Sequence, residues 1–206
     1  ANAGEVITVL VLTLFGLLFF RHIFIPILAI QLLYINLVTD TFPALALGVS
    51  PPEKNIMQRK PRDPDEKLLD RKLVILILIF GLLNALGCTF LFLWTIEFNL
   101  SIDILTADLS RSRTIIFAAL VIYQTFQCLA VSQNVTIFSK KTLENKILIG
   151  AILLGLLLLL FAIYIPFMQL FIGTYPLPPI DWLVILITAI PIIIFQEIYE
   201  KLYLNR

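Results

Sequence analysis

From Ile149 to Phe161 the chain carries no polar side chain at all. Such a segment has little to gain from folding in water, and it belongs to one of six similar runs. Apolar stretches occupy about residues 1–20, 26–49, 73–98, 113–132, 146–167 and 180–199. Each approaches or exceeds the ~20 residues that an α-helix needs to cross a hydrocarbon core. None alternates apolar and polar residues with period two, which excludes a membrane barrel. Helices remain, because only helices and closed barrels satisfy every backbone N–H and C=O inside lipid. The expected fold is therefore all-α: a polytopic membrane protein, a bundle of six transmembrane helices. Composition agrees, with 60% hydrophobic and only 14% charged residues, where soluble domains carry roughly a quarter charged. The Ile149–Phe161 run is expected to face lipid.

The charges sort by side. Lys54, Arg59, Lys60, Arg62, Lys67, Arg71 and Lys72 crowd the loop 50–72; Lys140, Lys141 and Lys146 precede the fifth span, and Lys201 and Arg206 lie in the tail. The opposite side holds Arg21, Arg111 and Arg113. The positive-inside rule puts the two basic loops and the C-terminus in the cytoplasm, and six spans then return both ends to that side. The net charge of +1 says nothing about nucleic acid, because the charges are sorted by topology; the expected partner is the lipid bilayer, with no nucleic acid. Cys88 and Cys128 fall in apolar spans, where free thiols pack as small hydrophobes, and no disulfide framework or zinc spacing exists. The opening ANAGEV runs straight into a helix with no Met and no signal-peptide pattern. It reads as the C-terminal piece of a longer protein.

The second span is the one that a purely lipid-solvated helix does not explain. In QLLYINLVTDTFPALA, Asn36, Thr39 and Asp40 stand at i, i+3 and i+4, on one side of a helix. Pro43 has no N–H, so the carbonyl of Thr39 loses its usual helical donor. A carboxylate, an amide oxygen, a hydroxyl and a freed carbonyl suit a hard cation. Two plainer readings stand beside this one: Asp40 neutralises a basic residue between helices, or the polar face is packing glue. The ion site is favoured because no basic residue falls inside the expected spans, and an intramembrane carboxylate is costly without a function. Asn2 and Glu5 in the first span again stand at i and i+3, next to Gly4, which permits close helix approach. Glu5 could equally be a solvated residue favoured by a helix N-terminus. The short turn at 21–26 makes the first two spans an antiparallel hairpin, with both polar clusters at compatible depths. His22 reads as a solvated loop residue, as do Asp103 and Asp108. Asn84 reads as packing glue and Pro191 as a kink. Trp94, Tyr164, Trp182 and Tyr199 fall near the interfaces, as aromatic belts do, and Gln196 and Glu197 near the cytoplasmic end of the last span.

The stretch QLLYINLVTDTFPALALGVSPPEKNIMQRKPRDPDEKLL resembles the sixth transmembrane helix, and the loop after it, of type II P-type cation ATPases, above all the calcium pumps. The six-span layout matches helices five to ten of that family. By this resemblance, Asn2 and Glu5 in NAGEV look like the fifth-helix pair of a calcium site. Asn36 looks like the sixth-helix amide, Thr39 like the hydroxyl ligand and Asp40 like the carboxylate that bridges both ions. VIYQTFQCLAVSQN is similar to the eighth helix, and Gln124 aligns where two-calcium pumps carry Glu. The resemblance thus implies metal ligands at Asn2, Glu5, Asn36, Thr39, Asp40 and Gln124, with calcium as the transported ion and other hard cations open. It implies no catalytic residue. The DKTGT and TGES motifs are missing from the chain, so ATP and magnesium would belong to separate cytoplasmic actuator, phosphorylation and nucleotide domains. The stiff, proline-rich loop 50–72 would dock against them. The implied function is the ion-binding part of a pump that exports calcium in exchange for protons, across a plasma or inner membrane if prokaryotic. The alternative is a non-catalytic six-helix module or a secondary carrier coupling protons or sodium through Glu5 and Asp40. A carrier should show repeated halves, and no second NLVTD-like segment occurs.

Overall fold

The computed structural model describes residues 2–21, 25–49, 71–97, 109–131 and 145–203. Ala1, His22, Asp103, Asp108, Lys140, Lys141, Arg206 and most of the loop 50–72 lie outside these. The helices are α1 (Asn2–Phe20), α2 (Ala29–Tyr34), a π-helical turn (Ile35–Thr39), α3 (Thr41–Gly48), α4 (Arg71–Glu97), α5 (Ser110–Val131), α6 (Lys146–Tyr164), α7 (Pro166–Ile172) and α8 (Pro179–Tyr203). Among the described residues, six units are long and apolar enough to cross a membrane: α1, the composite α2–π–α3, α4, α5, α6 and α8. The protein is a multi-pass, all-α membrane bundle.

The order of burial follows from composition. Helix α5 is the least apolar of the six, and 67% of its membrane window is buried, against 22–33% for the others. A helix with polar side chains is cheapest at the centre, where neighbours satisfy them. The run Ile115–Val121 of α5 is wholly buried. Around it, α4 and α8 pack on one another and on α5, α1 lies along α4, and α6 packs on α5, on the π turn and on α3. Tyr123 Oη donates to Thr188 Oγ1 at 2.7 Å, joining α5 to α8. Close approach of α1 to α4 depends on Gly81, where an added Cβ would run into the side chain of Ile7.

Three expectations are revised. The first two spans meet through Asn36 and Glu5, while α1 rests chiefly on α4 and the second span on α6. The Ile149–Phe161 run does not face lipid all round. Ile152, Gly155 and Leu159 are buried, while Leu153, Leu154, Leu157, Leu160 and Phe161 are exposed, which is the one-sided stripe of a helix packed on a bundle. The fifth span ends at Tyr164 rather than Phe167. Pro166 forces Ile165 into an extended conformation (φ −88°, ψ 122°) and starts α7 as its N1 residue. Helix α5 begins at Ser110, three residues early, which brings Arg111 into a span.

That last shift matters for charge. Arg111 grips Asp181 of α8 with two hydrogen bonds, Nε to Oδ2 at 2.9 Å and Nη2 to Oδ1 at 2.7 Å. Asp181 is 0% exposed, and Trp94 Nε1 reaches its Oδ1 at 3.5 Å. Thr95 Oγ1 and Ser112 Oγ share a hydrogen bond of 2.7 Å beside them. The C-terminal end of α4 is thereby fastened to the N-terminal ends of α5 and α8. Trp182 Nε1 donates to Tyr164 Oη, which donates to the carbonyl of Leu177. Trp94, Trp182 and Tyr164 thus gather at that same end, as an aromatic belt would.

Candidate functional site

The second span is broken where Pro43 and the polar residues coincide. Its middle turn widens to i→i+5 pairing, with Asp40 N bonded to the carbonyl of Ile35 at 2.9 Å. Single π turns inside α-helices recur at functional sites. Thr39 Oγ1 bonds back to the Ile35 carbonyl at 2.8 Å, and Thr41 Oγ1 to that of Asn36 at 3.2 Å. Ala44 N pairs with the carbonyl of Asp40, and Pro43 offers no donor to that of Thr39. The Thr39 carbonyl instead faces Gly155 of α6, 3.7 Å from where a Cβ would stand. The wider turn also rotates the face on which the side chains fall. Thr39 and Asp40 line a cavity, whereas Asn36 points to α1.

There, Asn36 Nδ2 donates to Glu5 Oε2 at 3.1 Å and to the carbonyl of Leu32 at 2.9 Å. Gln124 Nε2 of α5 donates to Glu5 Oε1 at 2.5 Å. Glu5 is 4% exposed and Gln124 7%. Both oxygens of a buried carboxylate are thus held by amide N–H groups from two other spans. The solvated alternative for Glu5 does not apply. Among the described residues, three buried oxygens have no hydrogen-bond partner: Asn36 Oδ1, Asp40 Oδ2 and Gln124 Oε1. Orphaned buried acceptors are uncommon and point to an absent ion or water.

The cavity, of about 460 Å³, is lined by Asn2, Thr39, Asp40 and Gln124, together with Asn84 and Gln127. Glu5 and Asn36 do not line it. All six expected site residues therefore surround one region, but in two layers. Asn2, which is exposed, meets the cavity only. Among the described residues no group of three or more His, Cys, Asp and Glu gathers; two carboxylates and several neutral oxygens make up the region. Two members were not anticipated as part of it. Asn84, read as packing glue, does bond a neighbour, since Gln127 Nε2 donates to its Oδ1 at 3.0 Å, and the pair also walls the cavity. Gln127 stands at i+3 from Gln124, a spacing visible in the sequence. Asp40 forms no ion pair among the described residues; of the two arginines in α5, Arg111 pairs with Asp181 and Arg113 donates to the carbonyl of Ile25.

A membrane bundle with a broken span, one buried and one half-buried carboxylate and unpartnered oxygens has the make-up of a protein that handles cations. The family is shown by comparison. Residues 24–202 match the family model described as cation transporting ATPase, C-terminus, and the chain belongs to that family. It is 34% identical over 192 residues to a calcium-transporting ATPase of Bacillus subtilis (strain 168), covering 93% of this chain and 20% of that protein. It is 32% identical over 207 residues to calcium-transporting ATPase 1 of Bacillus cereus (strain ATCC 10987 / NRS 248), 96% of this chain and 23% of that protein. With calcium-transporting ATPase type 2C member 1 of Mus musculus it shares 30% identity over 182 residues, 88% of this chain and 19% of that protein. The chain spans about a fifth of the length of these relatives.

Proposed function

We propose that this chain is the ion-binding membrane portion of an ATP-driven P-type pump that exports calcium from the cytoplasm in exchange for protons. The observation that carries the reading is the set of three unpartnered buried oxygens, Asn36 Oδ1, Asp40 Oδ2 and Gln124 Oε1, around a buried Glu5. Hard divalent cations take six to eight oxygen ligands, and carboxylates, amide oxygens, hydroxyls and backbone carbonyls all serve. Asn2, Glu5, Asn36, Thr39, Asp40 and Gln124 are the residues of that site. The relatives named as calcium-transporting ATPases support calcium as the cargo.

Glu5 and Asp40 take protons on the return stroke, which keeps the emptied site from holding uncompensated charge in the bundle. Movement between the two states acts on the second span, where the π turn and Pro43 leave the helix with fewer backbone hydrogen bonds to break. Phosphorylation, ATP and magnesium belong to cytoplasmic actuator, phosphorylation and nucleotide domains. The basic loop 50–72 docks against these, and both ends of the chain face the cytoplasm of a plasma or inner membrane.

The test is transport by the full-length pump in sealed vesicles. ATP-dependent accumulation of radioactive calcium, with alkalinisation of the vesicle lumen, is expected. ATP hydrolysis with no calcium movement would contradict the proposal. Calcium movement driven by a proton or sodium gradient without ATP would favour the secondary carrier.

A further inference from the structure

We infer that α7 is a membrane-embedded helix whose outward face meets the acyl chains of bilayer lipid, so that the connection between α6 and α8 lies in the membrane and not in water. Its residues, Pro166–Ile172, reach about 10 Å, too little to cross a bilayer. The inference concerns lipid contact alone and holds whichever cation the bundle carries.

Charge is the first observation. No Asp, Glu, Lys, Arg or His occurs between Lys146 and Asp181, whereas every other connection between spans carries ionisable residues. Pro166, Pro176, Pro178 and Pro179 also bring no N–H that a solvent would have to satisfy. Burial is the second. Phe167, Leu170 and Phe171 stand at i, i+3 and i+4, on one side of the helix. All three are exposed, Leu170 at 88%, more than any other large apolar side chain among the described residues. Met168 and Ile172 pack into the core on the other side. Gln169, the one polar side chain of α7, is turned back on α6, where its Nε2 donates to the carbonyl of Ile163 at 2.7 Å. A helix apolar all round belongs in a core or a membrane, and one that floats on the headgroups carries a charged face. Helix α7 has no such face. Its exposed side chains follow directly on the exposed stripe of α6, Leu153, Leu157, Leu160 and Phe161.

Backbone satisfaction is the third observation. Pro166 has no N–H for the carbonyl of Ala162, and Thr174 Oγ1 donates to it instead. The carbonyl of Gly173 accepts from Gln31 Nε2 at 3.2 Å, and that of Leu177 from Tyr164 Oη at 2.7 Å. With Ile163, four carbonyls around the bend are thus capped by side chains. Water would cap them in a solvated loop. Lipid cannot, and irregular backbone persists at membrane depth only where the protein satisfies it. Tyr164 and Trp182, hydrogen-bonded to one another, set the level, since such amphipathic rings sit at the boundary between headgroups and acyl chains. Helix α7 lies just inside it.

The experiment places a nitroxide on this face of the full-length pump in liposomes. Leu170→Cys is labelled in a background whose other reactive cysteines are replaced by serine, with assembly checked by size-exclusion chromatography. Power saturation then compares collisions with oxygen, which concentrates in lipid, and with a water-soluble nickel chelate. High oxygen and low nickel accessibility is expected, matching a label at Leu157→Cys on the exposed stripe of α6. Phe171→Cys should give the same pattern, and it decides the matter if the Leu170 variant fails to assemble. High nickel accessibility would overturn the inference by placing α7 in water. Low accessibility to both reagents would also overturn it, because another part of the pump would then cover the face.

Discussion

Asp40→Asn is expected to give a pump that assembles and inserts normally but needs about 100-fold more calcium for ATP hydrolysis, or shows no calcium activation at all. The size follows from ligand charge, since the number of carboxylates in an oxygen site tunes divalent affinity over orders of magnitude. Asp40 is the carboxylate that lines the cavity, and its Oδ2 lacks a hydrogen-bond partner. The amide replacing it has nearly the same shape, so packing of the second span against α6 should survive. Loss of activation with normal assembly would place Asp40 in the cation site. A matching loss of assembly would make it a structural residue. The calcium titration of ATP hydrolysis, run beside size-exclusion profiles of both proteins, separates these results.

Arg111→Met is expected to destabilise the bundle by about 3–5 kcal/mol, the range for breaking a buried ion pair from one side. Asp181 is 0% exposed, and its carboxylate is held by two charge-assisted bonds from Arg111 and a long one from Trp94 at 3.5 Å. Without the guanidinium, the charge stays buried at the start of α8 with the helix N-terminus and the long bond from Trp94 to favour it. The double variant Arg111→Met/Asp181→Leu should recover most of the loss, because removing both charges also removes the desolvation cost. Thermal unfolding midpoints in one detergent would measure this. Calcium activation of the surviving protein should be unchanged, since the pair lies at the other end of α5 from Gln124.

Much of this structure was legible in the sequence because lipid leaves few options. Six apolar runs without period-two alternation imply helices, and their ends agree with α1, α4 and α8 to within a few residues. The misjudged boundaries have particular causes. Tyr164 ends a span because Pro166 fixes the backbone before it, a local rule overridden by the apolar character of the residues that follow. The fourth span was expected from about residue 113, yet polar side chains just before it are satisfied within the bundle: Arg111 by Asp181, Ser112 by Thr95. A single sequence shows neither partner. The same limit applies to the polar residues of the middle. Spacing placed Asn36, Thr39 and Asp40 on one face of an ideal helix, but the wide turn at Ile35–Thr39 sends Asn36 to Glu5 and Thr39 and Asp40 to the cavity. Proline announced a break in the helix, although not how the turn would reorganise. Gln127 and Asn84 were readable as polar residues inside spans; that they meet across α4 and α5 depends on the close packing of those helices.

The most direct test of the cation site is equilibrium binding of radioactive calcium to the purified full-length pump without ATP, wild type against Asp40→Asn. Saturable binding at micromolar free calcium in the wild type, lost in Asp40→Asn, is the expected result. Equal binding by both proteins, or none by the wild type, would contradict the assignment of the site to this cluster of buried oxygens.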